Sequence, residues 1–137
     1  MDRPLKGIAT DGAHSTKERM TRFRAVNLAS GEELFSETIG NQTVNCGEFL
    51  GIIAAVRYIL ENNFAPQIIF SDSLTAITWY KNKTTASSRC CPALHKAEVF
   101  LQAMSARIDG IEVVHWNNRK WGETPADFGV QQIIQNE

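Results

Sequence analysis

The 137-residue chain is short of several things that would decide its class at once. No apolar run approaches the ~20 residues of a membrane span. The opening Met1-Asp-Arg-Pro-Leu-Lys-Gly stretch has no apolar core of a secretion signal, and no lipidation motif appears. The expectation is a cytoplasmic protein without a membrane partner. Cysteine is scarce: Cys46, Cys90 and Cys91 make an odd count with two adjacent, which gives no disulfide framework. Cys91 and His95 share a helical turn, yet no second ligand pair completes a zinc site. There is no glycine-rich phosphate loop and no serine nucleophile elbow. Net charge is also nearly absent, at −1 from 14 basic and 15 acidic groups. That argues against nucleic-acid binding by overall attraction, though not against local basic surface at Lys17–Arg24, Lys81–Arg89 and Arg119-Lys120.

What is present fits one domain spanning 1–137. Residues 4–11 read as a short strand ending in Asp-Gly. Residues 20–28 and 33–39, around Ala29-Ser30-Gly31-Glu32, read as an antiparallel hairpin. A helix follows from about Asn45 to Asn62, with Phe49, Ile52, Ile53, Val56, Ile59 and Leu60 at helical spacing. Gln67–Asp72 is an apolar run suited to a strand buried on both faces. A short helix at 73–82, a polar loop at 83–91 and a helix at 93–107 come next. A strand at 111–116 and a helix opening at Thr124-Pro125 complete the order β-β-β-α-β-α-α-β-α. This order predicts an α/β fold: a five-stranded mixed sheet, antiparallel meander then parallel crossovers, covered by helices. Strands near residues 10 and 70 should lie side by side and parallel.

Four carboxylates have ordinary structural readings when taken singly. Asp11-Gly12 is a turn dipeptide, Asp72 is placed to cap a helix, and Glu48 and Asp127 each lie three residues after a capping residue (Asn45, Thr124). Their joint placement points elsewhere. Asp11 and Asp72 are expected to end neighbouring strands, and Glu48 and Asp127 to lie in the first turns of helices entering the same edge. In open α/β sheets ligands collect beyond the carboxyl ends of the strands. Four carboxylates meeting there cannot all stay ionised without cations, and hard oxygen ligands suit Mg²⁺ or Mn²⁺.

Four segments then carry a family resemblance over nearly the whole chain: Thr10-Asp11-Gly12, Thr43-Val-Asn-Cys-Gly-Glu48-Phe-Leu, Ile69-Phe-Ser-Asp72-Ser-Leu-Thr-Ala-Ile and Trp121-Gly-Glu123-Thr-Pro-Ala-Asp127. In order and spacing the chain resembles ribonuclease H of type 1, particularly bacterial members. The resemblance implies a ribonuclease H-like fold and an endonuclease that hydrolyses the RNA strand of RNA–DNA hybrids. It implies a two-metal-ion mechanism with two Mg²⁺ (Mn²⁺ as a substitute) and 5′-phosphate and 3′-hydroxyl ends; no obligate protein partner is evident in the sequence, and a monomer is expected. It makes Asp11, Glu48, Asp72 and Asp127 the metal ligands and Glu123 an accessory carboxylate. Thr43, Asn45, Ser87 and Ser88 match positions holding a DNA-strand phosphate, although Ser87-Ser88 also reads as plain loop polarity. Gly12 and Ala13, with the rest of Gly12–Ser15 and residues 44–47, would face the RNA strand.

The chain departs from the family pattern in three places. His14-Ser-Thr-Lys-Glu-Arg-Met20 replaces a Gly-Asn-Pro-Gly stretch, Val44 replaces the first of two asparagines, and Leu74 replaces a glutamine. The metal chemistry is untouched, while RNA-side affinity changes; separately, the lack of a long basic helix-and-loop extension points to weak processivity. His95 and His115 read as ordinary helix and strand-end residues, and His14 as a possible substrate neighbour. Trp79, Trp116 and Trp121 read as core or rim aromatics. A non-catalytic nucleic-acid-binding domain of the same fold is the alternative, although it has no need of four carboxylates. A receiver-like phosphotransfer protein is disfavoured by the hairpin at 20–39.

Overall fold

The computed structural model describes residues 3–86 and 92–128. Ser87, Ser88, Cys90 and Cys91 therefore lie outside the described residues. Three antiparallel strands, β1 (Ile8–Ser15), β2 (Met20–Asn27) and β3 (Glu33–Thr38), lead into the helix α1 (Val44–Asn62). Then come β4 (Ile68–Ser71), α2 (Leu74–Asn82), α3 (Pro92–Ala103), α4 (Ser105–Ile108), β5 (Glu112–His115) and α5 (Asn118–Trp121). The sheet order is β3-β2-β1-β4-β5. β1 pairs antiparallel with β2, and β2 with β3, while β1–β4 and β4–β5 are parallel. The mixed sheet and the parallel pairing of strands near residues 10 and 70 are as the sequence predicts. No helix among the described residues is long and apolar enough to cross a membrane.

Several boundaries differ from expectation. β1 does not stop at Asp11-Gly12 but continues to Ser15, because each residue through Ser15 finds a partner on β2. Asp11 is thus mid-strand, opposite Arg24. α1 is capped by Thr43, not Asn45: the Thr43 hydroxyl accepts from the Cys46 N–H at 3.2 Å. Glu48 consequently sits in the second turn. Ser73, rather than Asp72, caps α2. The helix expected over 93–107 breaks at Met104 into α3 and α4. Thr124–Asp127 form a turn, closed by the Asp127 N–H on the Thr124 carbonyl at 2.9 Å. The helix expected from Thr124-Pro125 falls largely outside the described residues.

α1 is the hub of the core. Its Phe49, Ile52, Val56 and Ile59 are fully buried against β1, β4 and α2, with Phe49 edge-on to Trp79 at 5.8 Å. Burial of such side chains contributes about 1.5–3 kcal/mol each. The helix comes unusually close to the sheet at one point. A Cβ placed on Gly12 would lie 2.6 Å from the Glu48 nitrogen, and one on Gly47 would lie 2.9 Å from Thr21 Cγ2. Two glycines facing each other let backbone approach backbone, and this contact sets the distance of Glu48 from β1.

A Gly12→Ala substitution should force α1 off the sheet and lower stability by about 1–3 kcal/mol, read as a reduced urea midpoint. An unchanged midpoint would show that the helix has room to move.

Candidate active site

Three acids from three elements meet beside the α1–β1 contact. Asp11 comes from the middle of β1, Glu48 from the second turn of α1, and Asp72 follows the last residue of β4. One carboxylate oxygen of each lies within 4.8 Å of the other two, the one such acidic, histidine or cysteine group among the described residues. Asp11 and Glu48 are only 8% and 7% exposed, and Asp72 is half-buried.

Neighbouring groups hold these side chains in place. The Gly12 N–H donates to Glu48 Oε1 at 2.9 Å, and Ser71 Oγ approaches Glu48 Oε2 at 3.5 Å. Ser71 is itself fixed by accepting from the Ser73 N–H at 3.1 Å. The Asn118 amide of α5 donates to Asp72 Oδ2 at 3.1 Å, while its own oxygen is buried without a partner. These bonds fix orientation but supply little positive charge. Burial first, then the charges of Glu48, Asp72 and Asp127, push Asp11 far above the usual carboxylate range, to about 9. Burial and Asp72 push Glu48 upward too, against the opposing N–H of Gly12.

Hard oxygen donors, gathered from three elements within one ion's span and destabilised by each other's charge, fit a divalent cation of the Mg²⁺ or Mn²⁺ kind. The remaining predicted positions are spread around this trio. Asp127 acts electrostatically on Asp11, and its carbonyl accepts from Arg24 Nη1 at 3.3 Å, but it is not a member of the compact trio. Glu123 is exposed after Gly122 and also outside it. Gly12 is buried with its N–H spent on Glu48, and Ala13 is half-buried beside it. Thr43 is engaged as the α1 cap, and Asn45 is exposed on the first turn.

His14 is half-buried with Nδ1 2.8 Å from Thr21 Oγ1. The Thr21 hydroxyl gives its one hydrogen to the Gln42 carbonyl and accepts from the Gln42 N–H, so His14 Nδ1 must be the donor. His95 and His115 are exposed on α3 and at the end of β5. Trp79 and Trp116 are core residues, and Trp121 packs on Trp116 at 5.2 Å.

Three supporting residues escaped the sequence reading. Ser71 lies inside a quoted motif but carries no signal of its own. Asn118 stands on a four-residue helix too short to show periodicity. Arg24 is a cation inside an otherwise apolar strand segment, and that anomaly is visible in Phe23-Arg24-Ala25-Val26.

No protein-family model matches the chain. Solved structures do. RNase H1 from the halophilic archaeon Halobacterium salinarum NRC-1 is similar over 82% of this chain and 86% of that one, at 20% identity and a TM-score of 0.52. LC11-RNase H1, isolated from compost by a metagenomic approach, matches over 82% and 84%, at 18% identity and a TM-score of 0.57. A second structure of LC11-RNase H1, in complex with RNA/DNA hybrid, matches over 82% and 86%, at 16% identity and a TM-score of 0.51. At these identities the likeness establishes the fold: the chain has the ribonuclease H architecture that its four motifs led us to expect.

The raised Asp11 and Glu48 fix a pH dependence. A carboxyl with a higher pKa folded than unfolded contributes stability that is complete below its ordinary range and is lost as pH rises through the folded value. Without divalent ions, the melting temperature should therefore fall between about pH 5 and pH 9, by about 3–5 °C for each kcal/mol lost. Millimolar Mg²⁺ should remove the decline, and Asp11→Asn should remove its upper part while leaving the part due to Glu48. A metal-free melting temperature that is flat or rising over that window would contradict the burial of these acids together.

Proposed function

We propose that this chain is an endonuclease that hydrolyses the RNA strand of RNA–DNA hybrids, using Asp11, Glu48, Asp72 and Asp127 to hold two divalent cations. The observation that carries the reading is the buried Asp11–Glu48–Asp72 trio on a ribonuclease H fold. The solved LC11-RNase H1 in complex with RNA/DNA hybrid supports the choice of substrate.

Each residue has a distinct task in this reading. Asp11, mid-strand on β1 with its carboxylate within 4.8 Å of those of Glu48 and Asp72, would be a metal ligand. Glu48 is pinned by the Gly12 N–H and so meets one side of the site at a fixed angle. Asn118 orients Asp72 by its hydrogen bond. Asp127 completes the set from the C-terminal turn, with exposed Glu123 as an accessory carboxylate nearby in sequence. When bound, Mg²⁺ supplies the charge that acidifies a water and stabilises the departing 3′ oxygen. Water adds to phosphorus as the P–O3′ bond breaks, leaving a 5′-phosphate and a 3′-hydroxyl. The buried floor formed by Asp11 and Glu48 keeps bulk solvent away from the carboxylates and strengthens their hold.

The substrate would lie across the exposed rim. Asn45 on the first turn of α1 and Thr43 before it face a backbone phosphate, with Ser87-Ser88 as the other phosphate contacts. Ala13 and the backbone around Gly12 approach the RNA strand. Discrimination of RNA from DNA rests on the 2′-hydroxyl read across the minor groove. Phosphate contacts make binding weaken with salt. The enzyme acts as a monomer in the cytoplasm, where the buried thiol of Cys46 stays reduced.

Cleavage of an end-labelled hybrid in Mg²⁺, beside duplex DNA and duplex RNA, tests this. The hybrid alone should be cut. Asp72→Asn should keep its circular dichroism and melting behaviour while turnover drops by more than about 100-fold. Wild-type turnover in that variant would refute the site, and hybrid binding without any cleavage would leave a non-catalytic domain of this fold.

A further inference from the structure

A buried arginine stands where an apolar residue would be cheaper. Arg24 is 5% exposed on β2, among Val26, Ala9 and Ala126 on one face of the sheet. Sinking a guanidinium there costs several kcal/mol unless nearly every donor is answered. Its partners are drawn from two distant segments. Nε lies 3.2 Å from Glu33 Oε1 on β3, an ion pair that is off-axis for a hydrogen bond. Nη1 donates to the Asp127 carbonyl at 3.3 Å, and the guanidinium stacks 5.8 Å from the centre of the Phe128 ring. Arg22, two residues earlier and hence on the same face, stacks on that ring at 5.0 Å. Phe128 is thus gripped by two cations immediately after Asp127, and Asp127 is held by its own carbonyl.

The other end of this arrangement is the acidic site. Arg24 is the direct cross-strand partner of Asp11, and Asp11 and Asp127 both lie close enough for their charges to act on it. A single planar cation therefore touches the segment that carries Asp127 while standing beside the strand that carries Asp11. Thr124 and Ala126 of the same turn are fully buried, Ala126 packing with Ala9 and Val26, while Asp127 itself is half-buried. Within the described residues, the hydrogen bond and ring stacking from β2 tie the Asp127 backbone to the strand next to β1.

We infer that Arg24 is a positioning residue: acting through the Asp127 carbonyl and, with Arg22, through the Phe128 ring, it holds the C-terminal turn so that Asp127 joins the Asp11–Glu48–Asp72 site. The inference rests on the metal-binding reading above for what the positioning achieves. A forked guanidinium is needed, because a lysine can satisfy Glu33 or the carbonyl but cannot stack flat and donate sideways together.

The test compares wild type, Arg24→Gln, Arg24→Lys, Phe128→Leu and Asp127→Asn in the full chain. Hydrogen exchange of the amides of Thr124 and of Ala126, Asp127 and Phe128 reads the anchoring, and Mn²⁺ binding followed by electron paramagnetic resonance reads the site without substrate. Both Arg24 variants should lose protection at these amides while α1 stays protected. They should weaken Mn²⁺ binding about 10–100-fold, as expected when a residue orienting a ligand is lost. Combining Arg24→Gln with Asp127→Asn should add little beyond Asp127→Asn alone. Catalysis should show the same split, with the Mg²⁺ requirement raised and KM for hybrid unchanged. Phe128→Leu leaves the Arg24–Glu33 ion pair intact, so it reports on the clamp even if an Arg24 variant does not fold; it should give the same pattern in milder form. Wild-type Mn²⁺ binding in the Arg24 and Phe128 variants, or losses that simply add to Asp127→Asn, would overturn the inference and leave the nuclease reading standing. A wild-type chain that binds no Mn²⁺ would overturn both.

Discussion

The structure turns on the cost of keeping Asp11 and Glu48 together out of water. Two carboxylates at 8% and 7% exposure, with Asp72 within 4.8 Å, repel each other in a medium that screens poorly. The surroundings answer this only in part. The Gly12 N–H and the Ser71 hydroxyl face Glu48, and the Asn118 amide faces Asp72, but each is a dipole rather than a charge. Arg24 is the cation in the sheet opposite Asp11, and it is shared with Glu33 and the Asp127 backbone. The residual repulsion is what a bound divalent ion would relieve. A fold that neutralised its acids fully would be more stable and would have less to gain from metal.

That strain is tolerable because the scaffold around it is rigid. α1 is buried along most of its length and is pressed onto β1 where Gly12 meets the Glu48 backbone. A glycine at position 12 therefore serves packing and chemistry at once. Its lack of a side chain lets the helix approach, and the same approach brings its N–H within 2.9 Å of Glu48 Oε1. Moving α1 outward by the width of a methyl group would lengthen that bond and separate Glu48 from Asp11 together. The position of the acids is thus set by backbone contacts, not by the choice of side-chain rotamer on a loop.

Much of this was legible before the structure, and what was not has identifiable causes. The helical spacing from Phe49 to Ile59 and the apolar run before Asp72 named their elements, since periodicity and length are strong signals over such segments. The meander followed by crossovers then placed Asp11 next to Asp72. The end of β1 was misplaced because Asp-Gly is a turn signal locally, whereas here the glycine is required by a helix whose Glu48 lies 36 residues later. The α1 cap fell to Thr43 rather than Asn45, a shift that moved Glu48 from the first turn to the second. α5 left no trace, being four residues held by the Asn117 side chain, which accepts from the Arg119 and Lys120 N–H groups. Asp127 was assigned to the acidic group from its expected place after the last strand and from the family resemblance; it stands outside the compact trio, and its backbone is held by a tertiary contact with Arg24 that no local pattern encodes.

The same contrast between buried and exposed positions explains where the chain departs from the family it resembles. Val44 and Leu74 stand at 45% and 64% exposure, at the first residues of α1 and α2. Neither contributes to the buried core, so a change there from a polar to an apolar side chain leaves the trio and its supports unmoved. Each is nevertheless tied to the site by geometry: Val44 precedes Glu48 by four residues, one helical turn along the same face, and Leu74 follows Asp72 by two. Apolar side chains at these places gain nothing from solvent and can gain only from a surface laid over them, at about 25 cal/mol for each Å² covered. The proposed function therefore assigns grip on a bound strand to residues of the rim and cleavage to those of the floor.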